Sequence, residues 1–216
     1  MARKRGATRR RRPVQGRARE TVLSIVEAAA RVLARHGYAA ATTNRIAERA
    51  GVSIGSLYEY FPDKDAVLAA LLERHTEEGG ANVLAALDAA IARGGGLRPL
   101  VRALVEALLA EHRRAPELHR VLFEEMPHLP GADACVLRGE EALAHRLGAA
   151  LTAHPTCGVA DADLAAHQVV QTAEALAHRI VLHGIHGMPE ERFASEVAAL
   201  LAGYLEGGRA PRPARR

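Results

Sequence analysis

Apolar positions recur along most of the chain at three- and four-residue steps, the period of an α-helix, and no run alternates with the two-residue period of a strand. From Glu20 to His36, Val22, Ile25, Val26, Ala29, Val32 and Leu33 fall on one stripe, which Gly37 stops. A second stripe, Val67, Leu68, Leu71 and Leu72, starts a helix that either passes or breaks at Gly79-Gly80 and extends toward Ile91. The Gly94-Gly95-Gly96 run is the clearest linker. Beyond it Leu100, Leu104 and Leu108 carry a helix to His112, and Pro116 opens a short one through Phe123 and Met126 that Pro127 to Gly131 closes. Helices near Asp133 to Ala153, Asp161 to His183 and Pro189 to Tyr204 complete the pattern. The predicted class is therefore all-α, with no internal repeat. Composition changes this picture in one respect: apolar residues make up 49% of the 216 but aromatics only 3%, so the helices must pack through alanine and leucine. The length suits one substantial core, or a small domain docked on a larger one.

The stretch from Thr42 to Lys64 has the densest local chemistry. Thr42 and Thr43 can cap a helix that carries Ile46, Ala47 and Ala50 on one side; Gly51 frees the backbone for a sharp turn, and Ser53 supplies a second cap. The second helix is only about two turns long, with Leu57 and Phe61 packing inward four residues apart. Ile54, Gly55, Ser56, Tyr58 and Tyr60 then occupy its remaining surface, the part that a helix-turn-helix presents to base edges and phosphates. Pro62 suits the first turn of a further helix starting at Asp63, which puts Lys64 at its entrance.

The string T-T-x-R-I-A-x-x-A-G-V-S-x-G-x-L-Y-x-Y-F-x-x-K, with the helix before it, resembles the DNA-binding domain of the TetR (tetracycline repressor) family of bacterial transcriptional regulators. The resemblance implies phosphate and base contacts from Thr42, Thr43 and Asn44, a recognition helix headed by Ser53, Ile54, Gly55 and Ser56, and phosphate contacts from Tyr58, Tyr60 and Lys64. The side chains agree with that division. Hydroxyls, phenols and an ammonium suit phosphates but carry little sequence information. Asn44 offers a bidentate group to a base and Ile54 an apolar contact to a thymine methyl, while Arg45 is either a further contact or a solvated, ion-paired side chain.

Charge is unevenly placed. Residues 1–19 hold nine Arg or Lys and no acid, the last ten residues hold four arginines, and residues 76–206 hold 10 basic against 18 acidic groups. An acidic body of that kind confines nucleic-acid contact to the N-terminal end. The RKRGATRRRR run reads equally as an arm that follows the DNA backbone and as a disordered solubilising extension. The apolar runs are too short for a membrane span, the N-terminus lacks a signal-peptide core, and Cys135 and Cys157 form no C-x-x-C; a reduced cytoplasmic protein is expected.

Past residue 80 the resemblance is architectural. It implies a four-helix bundle with a partner subunit, formed by the last two helices, roughly 161–206. Phe193, Val197, Leu200, Leu201 and Tyr204 are the expected association stripe, and the small residues Ala165, Ala166, Ala173 and Ala177 allow close approach. His167, Gln171, Glu174 and His178, spaced 4, 3 and 4, share one helix face. That face is either a solvated stripe or, on a helix wedged between core and partner, the orienting polar lining of a cavity. His112, His119, Met126 and His128 can face the same cavity, with Leu104, Leu108 and Phe123 as apolar walls. Glu174 and His178 have acceptable spacing for a shared ion, but no compact ligand motif occurs, so no metal is expected. No Gly-rich phosphate loop, G-x-S-x-G or nucleophile and base pair points to catalysis.

The expected organisation is a disordered basic arm over 1–19, a helix-turn-helix three-helix DNA-binding domain over 20–66, a helical ligand-binding and dimerisation domain over 67–206, and a disordered basic tail over 207–216. The expected function is that of a homodimeric repressor released from a palindromic double-stranded DNA operator by a small-molecule effector, with no cofactor, membrane partner or enzymatic activity. A constitutive architectural DNA-binding protein, a small-molecule binding protein or enzyme with a vestigial DNA head, and a metal-responsive regulator are the alternatives.

Overall fold

The computed structural model describes residues 12–126, 132–184, 187 and 189–207. The expected arm over 1–11, the tail from 208, His128 and the closing turn at Pro127 to Gly131 lie outside the described residues. Among the described residues the fold is all-α, and it divides between Leu71 and Leu72 into two compact units. This boundary falls a few residues later than the one expected at 66.

The N-terminal unit holds α1 (Arg12–Ala40), α2 (Thr43–Ala50), α3 (Ile54–Tyr60) and the start of α4 (Lys64–Arg93). Contrary to the expected disorder through residue 19, the basic segment is helical from Arg12. Its arginines are compatible with helix, since a long straight side chain loses little rotamer freedom there. The regular run of α1 stops at Gly37, whose positive φ of 71° favours a residue without a Cβ. Ile25, Val26, Ala29, Val32 and Leu33 are buried along its inner face, as the periodicity predicted.

The turn between α2 and α3 follows from single residues. The Thr42 hydroxyl accepts from the Arg45 N–H at 3.3 Å and opens α2; Ile46 and Ala47 face inward. Gly51 ends it in the left-handed region (φ 71°, ψ 27°), its N–H donating to the carbonyls of Ala47 and Glu48. The Ser53 hydroxyl then accepts from the Ser56 N–H at 3.0 Å, capping α3, and Leu57 and Phe61 are buried beneath it. Helix α4 starts one residue later than expected: Pro62 and Asp63 precede it, and the Asp63 carboxylate caps it by accepting from the Ala66 N–H at 2.8 Å.

The C-terminal unit comprises the rest of α4, α5 (Leu97–Arg114), α6 (Pro116–Arg120), a π-helical turn (Val121–Glu125), α7 (Ala132–Thr152), α8 (Ala162–His183) and α9 (Glu190–Leu205). Helix α4 does not break at Gly79-Gly80. Gly79 instead permits a close approach, since a Cβ there would stand 3.1 Å from Glu111 Cγ. Helix α5 packs against α8 and α9, and α7 against α8. This packing corrects the expected association surface. Phe193, Val197 and Leu201, like Ala165, Ala166, Ala173 and Ala177, are buried in the subunit's own core. Only Leu200 (66% exposed) and Tyr204 (40%) of that stripe face out, joined by Leu164 (55%) of α8.

Leu57 is completely buried under α3, so Leu57→Ala should destabilise the N-terminal unit by about 2–5 kcal/mol. Urea unfolding followed by circular dichroism checks this; an unchanged midpoint would remove Leu57 from the core.

Candidate functional site

Two places carry chemistry. In the N-terminal unit Thr42, Asn44, Arg45, Ser53, Ile54, Gly55, Tyr58 and Tyr60 are exposed, while Thr43, Ser56 and Lys64 are half-buried. The Tyr58 hydroxyl lies 3.2 Å from the Thr43 hydroxyl, which ties the outer face of α3 to the first turn of α2. Three of the side chains have local duties besides. Arg45 donates to the Ala40 carbonyl at 2.8 Å, Ser53 caps α3, and the Lys64 ammonium sits 3.6 Å from the centre of the Tyr38 ring. Ile54 is a large apolar side chain at the head of a helix, 38% exposed.

In the C-terminal unit a cavity of about 80 Å³ opens between α4, α5, α6, the π-helical turn, α7 and α8. Of the residues expected there, Leu108, His112, His119, Phe123 and Glu174 line it. Leu104 and Met126 are fully buried but lie outside its lining. The polar stripe of α8 divides. His167 is exposed, with Nδ1 donating to the Asp163 carbonyl of its own helix at 2.8 Å, and Gln171 is also exposed. His178 is half-buried beside the cavity, its Nδ1 3.1 Å from His119 Nε2. The difference is coverage: the end of α5 and α6 reach Glu174 and His178, whereas among the described residues His167 and Gln171 stay exposed.

The polar end of the cavity is a chain of imidazoles. His119 lies between His75 (Nδ1 to Nε2, 3.3 Å) and His178, and its ring centre is 4.2 Å from that of His112. Burial, then the charges of His112, His75 and His178, pull the His119 pKa down to about 2, so this ring stays neutral. Burial also lowers His75, against the opposing charge of Glu111, and lowers His178, with His112 adding to the effect. For His112 burial acts in the same direction but is overcome by Glu174, helped by the Leu108 carbonyl, and its pKa is raised. Nε2 of His112 stands 3.2 Å from Glu174 Oε1, near enough for the carboxylate charge to act yet so placed that this buried nitrogen completes no hydrogen bond. On the α7 side burial and the charge of Glu174 raise the pKa of Glu140, while a hydrogen bond with Gln171 opposes them.

Sequence reasoning did not find His75, Thr76, Gly79, Val83, Glu111, Val136 or Glu140 at the cavity. The available signal was the Gly79-Gly80 pair within an unbroken apolar stripe, which marks close helix approach as well as a break.

Family comparison covers both units. A family described as "Bacterial regulatory proteins, tetR family" matches residues 25–71, and one described as "Tetracyclin repressor-like, C-terminal domain" matches residues 97–205. The transcriptional activator FasR of Mycolicibacterium smegmatis is 34% identical over 97 residues, 45% of this chain and 42% of that protein. The transcriptional repressor KstR of Rhodococcus jostii is 31% identical over 102 residues, 47% of this chain and 43% of that one. The chain spans less than half the length of the curated relatives it matches. The crystal structure of the transcriptional regulator FadR from Bacillus subtilis in complex with stearoyl-CoA shares the fold at a TM-score of 0.63, with 20% identity over 83% of this chain and 97% of that one.

The imidazole chain generates a pH prediction. His75, His119 and His178 take up protons in the unfolded chain below about pH 6.5 but resist them when folded, so acid favours unfolding; His112 and Glu140, whose pKa values are raised, oppose this. With a chelator present, so that protons alone are read, stability should fall from pH 7 to 5 by on the order of 1 kcal/mol per pH unit for each net proton. Urea midpoints that rise or stay level over that window would contradict the assignment.

Proposed function

The chain belongs to the tetR family of bacterial regulatory proteins, and from that premise we propose that it is a homodimeric, cytoplasmic transcriptional repressor that binds a palindromic operator and leaves it when a small ligand occupies the C-terminal cavity. The observation that carries the reading is the exposed face of α2 and α3. Asn44 and Ile54 supply groups that discriminate bases, and Thr42, Thr43, Tyr58, Tyr60 and Lys64 supply phosphate partners around them. A single short recognition helix makes too few contacts for useful specificity, so the reading requires two copies. Leu164, Leu200 and Tyr204 are the exposed apolar residues of α8 and α9 that support an interface with a second chain.

The cavity supports the ligand-responsive reading over a constitutive architectural one. Five α-helices and the π-helical turn surround it, and His112 and Glu174 offer it polar groups. Its volume of about 80 Å³ is well below the roughly 300–1,000 Å³ of common small-molecule sites, which favours a compact ligand. The ligand shifts DNA affinity only as far as it binds the released conformation better than the operator-bound one.

Two variants test the DNA face by gel shift at several salt concentrations. Tyr58→Phe should weaken binding to all sequences alike, by about 10- to 100-fold if its hydroxyl contacts a phosphate. Asn44→Ala should relax the preference for operator by about 1–3 kcal/mol at one base pair. Wild-type binding curves for both variants would refute the assigned face.

The interface has its own test. Leu164→Arg with Leu200→Arg places two charges on the proposed contact, and because both side chains are exposed the subunit itself should fold. Light scattering should report a monomer with unchanged helicity. An intact dimer would remove α8 and α9 from the interface.

A further inference from the structure

Three helices bring imidazoles to one point. His112 in the last turn of α5, His119 in α6 and His178 in α8 each offer a ring nitrogen, and the three nitrogens lie within 4.8 Å of one another. His112 and His119 are only 2% and 6% exposed. His119 Nε2 and His178 Nδ1 stand 3.1 Å apart, close to the about 3.3 Å that separates two ligands at 2.0–2.1 Å from a tetrahedral zinc ion.

The outer nitrogens of His112 and His119 each have an acceptor. Nδ1 of His112 is 2.8 Å from the Leu108 carbonyl, which can only accept, so that nitrogen carries the hydrogen and Nε2 keeps its lone pair in the neutral ring. Nδ1 of His119 faces His75 Nε2 at 3.3 Å, whereas Nε2 of His178 lies 3.8 Å from Glu124 Oε1, beyond hydrogen-bond length. Metal-binding histidines are oriented in this way, with the far N–H held by a carbonyl, carboxylate or other acceptor. A fourth donor is at hand. The buried Nε2 of His112, without a hydrogen bond, stands 3.2 Å from Glu174 Oε1, so a metal ion bound by the neutral ring is also within reach of the carboxylate.

We propose that His112, His119 and His178, with Glu174 as the fourth donor, form a binding site for a divalent late first-row transition metal of the zinc class. Three imidazoles and a carboxylate without a thiolate suit such ions, whereas magnesium and calcium prefer oxygen donors throughout. The span of up to 4.8 Å closes onto an ion by side-chain shifts of about an ångström, which the half-buried His178 can make. The site rests on the C-terminal unit alone, so failure of the DNA-binding reading leaves it standing.

The experiment uses the full chain without an affinity tag. Calorimetric titration with Zn²⁺ should show one tight site per chain, and Co²⁺ should develop the intense visible absorption of a four-coordinate ion. His178→Gln and His112→Gln should each weaken Zn²⁺ binding by more than about 100-fold, beyond what loss of an outer partner does. His145→Gln and His167→Gln, at exposed positions outside the cluster, should bind as wild type. Circular dichroism of metal-free protein establishes that each variant is folded, and the Co²⁺ spectrum of wild type reads the coordination without any substitution. The proposal is overturned if folded wild type takes up neither ion, or if the loss of affinity follows His145 and His167 in place of the cluster.

Discussion

The C-terminal unit depends on one amphipathic helix. Along α5, Leu97, Leu100, Val101, Leu104, Val105, Leu108 and Leu109 are buried against neighbouring helices, and the next buried position on the same face is His112. Burial of the leucines holds α5 against α8 and α9, and the same rotation carries an imidazole inside. A buried polar ring requires partners, and three elements supply groups beside it: the Leu108 carbonyl of α5 behind, Glu174 of α8 in front, His119 of α6 alongside. The cavity and its histidines are thus a consequence of how an apolar stripe ends.

The N-terminal unit is built on another principle. Its core is small, and the outward face is determined by backbone chemistry: two side-chain caps at Thr42 and Ser53 and one left-handed glycine at Gly51. Those residues set the direction of α3 and leave Asn44, Ile54 and Tyr58 outside. The chemistry of that face suits a duplex, with neutral donors for phosphates and few groups for bases, while the acidic C-terminal unit is unsuited to nucleic acid.

The parts legible in the sequence were those written in local chemistry. The stop at Gly37, the caps, the turn at Gly51 and the linker at Gly94 were all readable because each acts on residues within four positions of itself. Tertiary partners were not. Phe193, Val197 and Leu201 show the same apolar period whether they pack on α5 of their own chain or on another subunit, and the period cannot choose. The histidine cluster was hidden for a related reason. His119 meets partners 44 and 59 residues away, so no spacing motif records it, and the stripe from His167 to His178 divides according to which helices cover it. The helical start at Arg12 was missed because a run of arginines also describes a solvated arm.

The central claim is that this chain reads DNA as a symmetric pair, and selection of bound sequences from a random duplex library addresses it without knowledge of ligand or target gene. The expected result is enrichment of an inverted repeat whose half-sites are separated by about one helical turn, lost when Asn44 is replaced by alanine. Recovery of sequences without any shared motif, or of a single unrepeated half-site by a monomer, would contradict it.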